Sequence, residues 1–255
     1  MKKRLLLLTT ALIGLGASAA FASSDAKPPR HVDWSFDGML GRVDKPSAQR
    51  GFQIYKEVCA SCHGLKRVAF RNLSAIGFSE AEIKALASSY SVKDGPNDEG
   101  DMFERPGLPS DYFPSPHANE QAARAAHNGA YPPDLSLIIK SRLHGANYVY
   151  SLLIGYGENP PEGVHLGDGQ YYNPYFNLHN GLAMPAPLAD GQVSYEDGTQ
   201  ASVDQMSRDV VNFLQWAAEP EMEARKQMGI KTLLFLFAFT VFMYLAKRNL
   251  WRKLH

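Results

Sequence analysis

Apolar residues recur at helical spacing in several short segments, and Pro- and Gly-rich connections separate them. Phe52, Tyr55 and Val58 share one stripe behind Ser47, which can cap a helix running to about Val58. Ser79 and Glu82 have the spacing of a capping box and predict a helix over 79–88. A short helix over 119–126 is closed by Asn128-Gly129, Asp134 is placed to cap a segment reaching about Leu143, and Asn147 another reaching Ile154. The clearest amphipathic pattern follows Ser202 and Gln205, a second capping box, with Val203, Met206, Val210, Phe213, Leu214 and Ala217 on one face and Pro220 as the stop. Between these helices, 23–46 reads as an irregular arm carrying Trp34 and Phe36. The 91–115 segment lacks any sustained apolar period and reads as a long acidic surface loop. The 155–189 segment is loop again, with prolines at 160, 161, 174, 185 and 187, and a connection of that length in a compact domain is expected to serve function. No internal repeat interrupts the pattern.

Two stretches are apolar without a polar face. At the start, Lys2-Lys3-Arg4, the run from Leu5 to Leu15 and Ala20-Phe21-Ala22 have the order of a secretory signal, so 1–22 is set aside from the fold and the mature chain is expected to begin at Ser23. An uncleaved anchor is the alternative, but the run is short for one and contains Gly14. Near the end, Thr232 to Ala246 is fifteen residues without a charge. Extended back through Met228-Gly229-Ile230, with Lys231 reaching its ammonium to the interface, it attains the length of a membrane-spanning helix, expected over 228–247. Lys247-Arg248 and Arg252-Lys253 favour a cytoplasmic tail over 248–255 and place 23–227 on the opposite, periplasmic side.

This division changes how the charge is read. The whole chain is formally neutral, with 26 basic and 26 acidic residues, yet 23–227 holds all 26 acidic residues and only 18 basic ones, a formal charge of −8. Such a domain is expected to meet a basic partner and no nucleic acid. At roughly 205 residues it is long enough for one sizeable core with long loops.

The chemistry is concentrated in Cys59-Ala-Ser-Cys62-His63, which contains the only two cysteines of the chain. Two thiols three residues apart can both add to the vinyl groups of a haem, and the adjacent imidazole then reaches one axial face of the iron, so C-x-x-C-H points to one covalently attached haem c. A structural disulfide and half of a zinc site are the alternatives. Structural zinc takes four ligands, commonly several thiolates. A thioredoxin-like dithiol sits in a βαβ pattern that these flanks lack.

A haem iron in an electron-transfer cytochrome takes a sixth ligand, usually methionine or a second histidine. Met184, in Gly181-Leu-Ala-Met-Pro-Ala-Pro187, sits in a proline-stiffened loop suited to holding a thioether at a fixed place. Met102 and the histidines at 117, 127, 144, 165 and 179 remain open alternatives at this point.

Longer stretches carry a resemblance that covers nearly all the mature sequence: Arg50 to His63; Arg105-Pro-Gly-Leu-Pro-Ser-Asp-Tyr-Phe113; Asn119 to Ala126; Asn128-Gly-Ala-Tyr-Pro-Pro-Asp-Leu-Ser136; Tyr172-Asn-Pro-Tyr-Phe176; Ala183 to Pro187; and Tyr195-Glu-Asp-Gly-Thr199. On these the chain resembles the cytochrome c1 family of the ubiquinol–cytochrome c oxidoreductase (cytochrome bc) complex, in its bacterial form. The resemblance implies a mainly α, c-type cytochrome fold with long loop insertions and one C-terminal transmembrane helix. It implies thioether bonds from Cys59 and Cys62, axial ligation by His63 and Met184, and haem-pocket roles for Pro132, Pro133, Arg142 and Tyr148, the last two facing the propionates. One departure is Asn177-Leu-His-Asn-Gly181, where the family has a shorter glycine-rich stretch.

The function that the resemblance implies is outer-sphere electron transfer, with no reaction catalysed by this subunit on its own. Electrons would arrive from the Rieske iron–sulfur protein and leave to a soluble or tethered cytochrome c, beside cytochrome b, in a dimeric complex of the bacterial inner membrane. A free-standing anchored shuttle, and a haem enzyme with an open distal site, are the readings it competes with.

Overall fold

The computed structural model describes residues 26–176 and 181–252. The expected signal segment, most of the Asn177–Gly181 departure with His179, and the last three residues lie outside them.

Two crossing helices organise the domain. The first, α1 (Lys45–Glu57), opens with Asp44, whose carboxylate accepts from the Ser47 amide at 3.3 Å, so the cap is Asp44 and not Ser47. Ser47 is buried instead, its hydroxyl donating to Asp209 at 2.7 Å and accepting from Asn212 at 2.9 Å. Both partners belong to α6 (Val203–Ala218), which Ser202 caps by accepting from the Gln205 amide, as its capping-box spacing predicts. The helices touch at Gly51, where an added Cβ would lie 2.0 Å from the Asp209 carbonyl oxygen. That approach brings Phe52 and Tyr55 within 5.5 and 5.7 Å of the Phe213 ring. Beside the crossing, Arg50 grips the fully buried Asp209 with two donors at 2.9 Å and Asp197 with a third at 2.8 Å. Those carboxylates push the guanidinium pKa above its ordinary value.

The smaller elements lie around this pair. α2 (Glu80–Ser88) has the reciprocal Ser79–Glu82 capping box its sequence predicts. The segment expected to be loop throughout contains an antiparallel hairpin, β1 (Ser91–Asp94) and β2 (Phe103–Pro106). Arg105 holds it by bonding Asp94 and Asp111. With both strands lying mostly at the surface, no alternation of apolar residues announces them. α3 (Glu120–Ala126) is capped by Asn119 and left by Asn128, whose φ of 49° takes the chain through the left-handed region. α4 (Ile138–Ser141) is much shorter than the predicted segment from Asp134 to Leu143. α5 (Gly145–Ile154) follows His144, at a φ of 66°. Asp134 and Asn147 cap neither, because their side chains are engaged elsewhere: Asp134 accepts from the amides of distant Lys66 and nearby Ser136, and Asn147 from the Val32 amide and the Trp34 indole. The arm is thereby drawn into the core, with Trp34 and Phe36 buried and stacked at 5.3 Å.

Between Gly155 and Ala189 the described residues form no helix or strand beyond a pairing of Tyr171 with Leu182, and the loop is held down by Asn173 donating to the Leu152 carbonyl at 2.7 Å. Last comes α7 (Met222–Trp251), thirty residues whose apolar stretch is uncovered by the rest of the chain and long enough to cross a membrane.

Candidate haem site

α1 ends where the chemistry begins. A single 3-10 turn, Cys59–Ser61, follows it, and the Cys59 carbonyl accepts from the amides of both Cys62 and His63. The turn presents two free, half-buried thiols and the imidazole together. Burial, reinforced by Cys62, pushes the Cys59 thiol up to about 12, the reverse of the low-pKa thiolate of a dithiol oxidoreductase.

The ring of His63 is fixed by the segment that carries the Pro-Pro pair. Its Nδ1 lies 2.7 Å from the Pro133 carbonyl oxygen. A carbonyl only accepts, so Nδ1 carries the proton and a neutral ring turns the Nε2 lone pair outward, the arrangement found in metal-bound histidines. Burial favours that neutral ring by lowering the imidazole pKa, against the opposing pull of this same bond. The Pro133 carbonyl is held in place by a lacing of two strands of chain: Leu135 donates to Gly64, Lys66 to Asp134 and Arg67 to Ser136. Pro132 lines a small adjacent cavity of about 110 Å³ together with Cys62, Gly64 and His117.

The remaining predicted residues gather on a second side. Arg142 is exposed and, among the described residues, meets no carboxylate; its one bond is to the Ser141 carbonyl at 3.3 Å. Tyr148 on α5 is half-buried, and burial raises its pKa while the nearby Arg142 charge opposes the rise. Tyr156, just beyond α5, donates to the Met184 carbonyl at 3.0 Å. Burial, with Tyr148 adding, raises its pKa too. Tyr156 is the residue that sequence reasoning missed: its partner is a backbone oxygen 28 residues away, and no spacing signals that.

Four histidines and one methionine are the other candidate sixth ligands among the described residues. His117 and His127 turn their Nε2 atoms on each other at 2.9 Å. Met102 is 56% exposed just before β2, and His144 and His165 are exposed. Two free thiols beside an imidazole with an outward Nε2 fit a haem c, and Tyr156 holds the Met184 backbone through its carbonyl. Tyr131, Leu137 and Leu143, left exposed between residues 131 and 143, supply apolar surface of the kind such a group covers.

Two free thiols and an adjacent imidazole at the end of a helix, in a mainly helical domain that leads into an apolar helix long enough to cross a membrane, define the class of c-type cytochromes. The chain belongs to the Cytochrome C1 family, whose model matches residues 34–254. It is 48% identical to "Cytochrome c1" of Rhodospirillum rubrum, with 98% of this chain and 97% of that one covered. It is 50% identical to "Cytochrome b/c1" of Bradyrhizobium diazoefficiens, covering 96% of this chain, which spans only 39% of that longer protein. It is 49% identical to "Cytochrome c1 1, heme protein, mitochondrial" of Arabidopsis thaliana, covering 92% of this chain and 77% of the relative. Membership makes it an electron-transfer subunit of the cytochrome bc1 complex, with a haem c cofactor.

Proposed function

We propose that this chain carries one covalently bound haem c and relays single electrons from a Rieske iron–sulfur protein to a cytochrome c, with cytochrome b as its membrane neighbour in a dimeric complex. When bound, the haem supplies a reversible one-electron centre. Cys59 and Cys62 would hold it through thioether bonds, with His63 through Nε2 and Met184 through its sulfur as the ligands to its iron. A thioether opposite an imidazole favours the ferrous state and raises the potential, which suits an acceptor downstream of a Rieske centre. Pro132 and Pro133 would wall the His63 side, and Arg142 with Tyr148 would face the propionates; the Arg142 guanidinium, which meets no carboxylate among the described residues, is the natural partner for such groups. Residues 1–22 are a signal peptide, 23–227 the periplasmic domain, 228–247 the anchor and 248–255 the cytoplasmic tail, in a bacterial inner membrane.

The observation that carries this reading is the His63–Pro133 bond, which leaves Nε2 open beside two free thiols. The test is quinol-driven reduction in the purified native complex, followed by the α-band of the c-type haem. Reduction that disappears when the Rieske subunit is removed is the expected result. Reduction that persists without it means that the electron enters by another route.

A further inference from the structure

Beside the start of α7 the arm makes a tight turn that neither the haem nor the core requires. Residues 37–41 double back so closely that a Cβ on Gly41 would lie 1.9 Å from the Asp37 carbonyl oxygen, and Gly38 has a φ of 70°. The base of the turn is bolted to the helix: Lys226 donates to the carbonyls of Phe36 at 2.6 Å and Gly41 at 3.2 Å, and Glu223 accepts from the Val43 amide at 3.1 Å. On the inner side Trp34 and Phe36 are fixed in the core. The turn is therefore rigid, yet its tip holds two of the more exposed apolar side chains of the domain, Met39 at 66% and Leu40 at 79%.

Scattered exposed apolar residues are ordinary; the level of this pair along α7 is what distinguishes it. Met39 and Leu40 border a small cleft together with Lys226, Gln227 and Ile230, the stretch where α7 passes from charged to apolar sequence. From Met228 to Ala246 the helix rises about 28 Å at 1.5 Å per residue, close to the roughly 30 Å of a bilayer core. Ile230 then lies at the edge of the hydrocarbon, with Lys231 able to reach back to the headgroups. The far edge is marked by Lys247 over the Trp251 ring at 4.7 Å, an interfacial pairing of an aromatic with a basic residue.

We propose that the 37–41 turn is a second membrane contact, its Met39-Leu40 tip dipping into the headgroup–acyl boundary of the lipid while Lys226 and Glu223 lock the turn to the helix. Contact at two points fixes the tilt of the domain on the membrane, and so the height at which its electron-transfer face is presented. A single helix followed by a free swivel would not. The occupant is lipid because the apolar tip continues the surface of the spanning helix at the level where water gives way to hydrocarbon.

The inference rests on α7 as the spanning helix, and the experiment separates the two. Full-length holoprotein carrying Leu40→Cys is labelled with the environment-sensitive dye NBD and placed in phosphatidylcholine nanodiscs, the native cysteines being consumed in thioethers. Phe239→Cys, mid-span, and Lys84→Cys, on exposed α2, are labelled as references. Quenching by dibrominated lipid is compared with quenching by aqueous iodide. Leu40 is expected to be quenched by the brominated lipid several-fold more than Lys84. Leu40 matching Lys84 in both quenchers overturns the proposal while Phe239 remains lipid-quenched; water-exposed Phe239 overturns the spanning helix itself. In the isolated native complex, a Leu40 label shielded from both quenchers assigns the tip to a neighbouring subunit and also overturns the lipid contact.

Discussion

At the scale of single residues, the account turns on how weak ligands are held. A thioether is a poor donor with a flexible stem, so its place has to be imposed by the loop around it. Two prolines stiffen that loop, and Tyr156 pins the Met184 carbonyl from the end of α5. Met184→Leu is expected to abolish the weak far-red sulfur-to-iron band of the oxidised protein and to lower the potential by on the order of 100 mV, part of the roughly 0.8 V that axial ligands span. Tyr156→Phe removes one neutral hydrogen bond worth about 1 kcal/mol, so it should keep the band and shift the potential by no more than about 40 mV, using about 59 mV per tenfold change for one electron. Redox titration followed at the α-band, with absorption of the oxidised protein at the far-red band, checks both variants; an unchanged far-red band in Met184→Leu moves the assignment to another residue, Met102 first. The candidate ligands were legible because C-x-x-C-H and a proline-flanked methionine are local patterns. Tyr156 and the Arg50–Asp209 pair were not, since each depends on a partner far along the chain.

At the scale of elements, helices were legible where the capping side chain had nothing else to do. Ser79 and Ser202 cap as their spacing predicts. Ser47, Asp134 and Asn147 have the same local credentials but lend their polar atoms to other segments, a tertiary demand invisible in a window of ten residues. The hairpin went unread because neither of its faces is buried in the core. An ion pair also sorts the acidic residues: Asp94 is spent on Arg105, Glu104 keeps its charge on the strand while accepting from Ser91 at 2.7 Å, and Asp98, Glu99 and Asp101 at the exposed turn are the three that would steer the basic cytochrome c proposed above. Neutralising those three to Asn or Gln should slow its reduction at low ionic strength, and the difference should fade as salt shortens the Debye length toward roughly 8 Å. Stopped-flow rates across a salt series test this, and equal rates with equal salt dependence place docking elsewhere on the acidic surface.

At the scale of the whole molecule, a neutral chain divides into an acidic domain and a basic-flanked apolar helix. The strongly buried α1–α6 crossing and the bolted 37–41 turn connect the C-x-x-C-H turn to the start of that helix through packed side chains and backbone-directed hydrogen bonds. A rigid path of this kind suits a relay, whose rate depends on holding one centre at fixed distances from its donor and acceptor. All of it presupposes that the turn after α1 carries the haem covalently, and the most direct measurement is haem-stained denaturing electrophoresis of the full-length protein beside the Cys59→Ala, Cys62→Ala double variant, with immunodetection to show equal amounts of chain. The parent is predicted to keep its haem through denaturation, and the double variant, left without a thiol, to lose it completely. Haem migrating with the double variant, or a parent band without haem when the chain is isolated from its native membrane, would contradict the account.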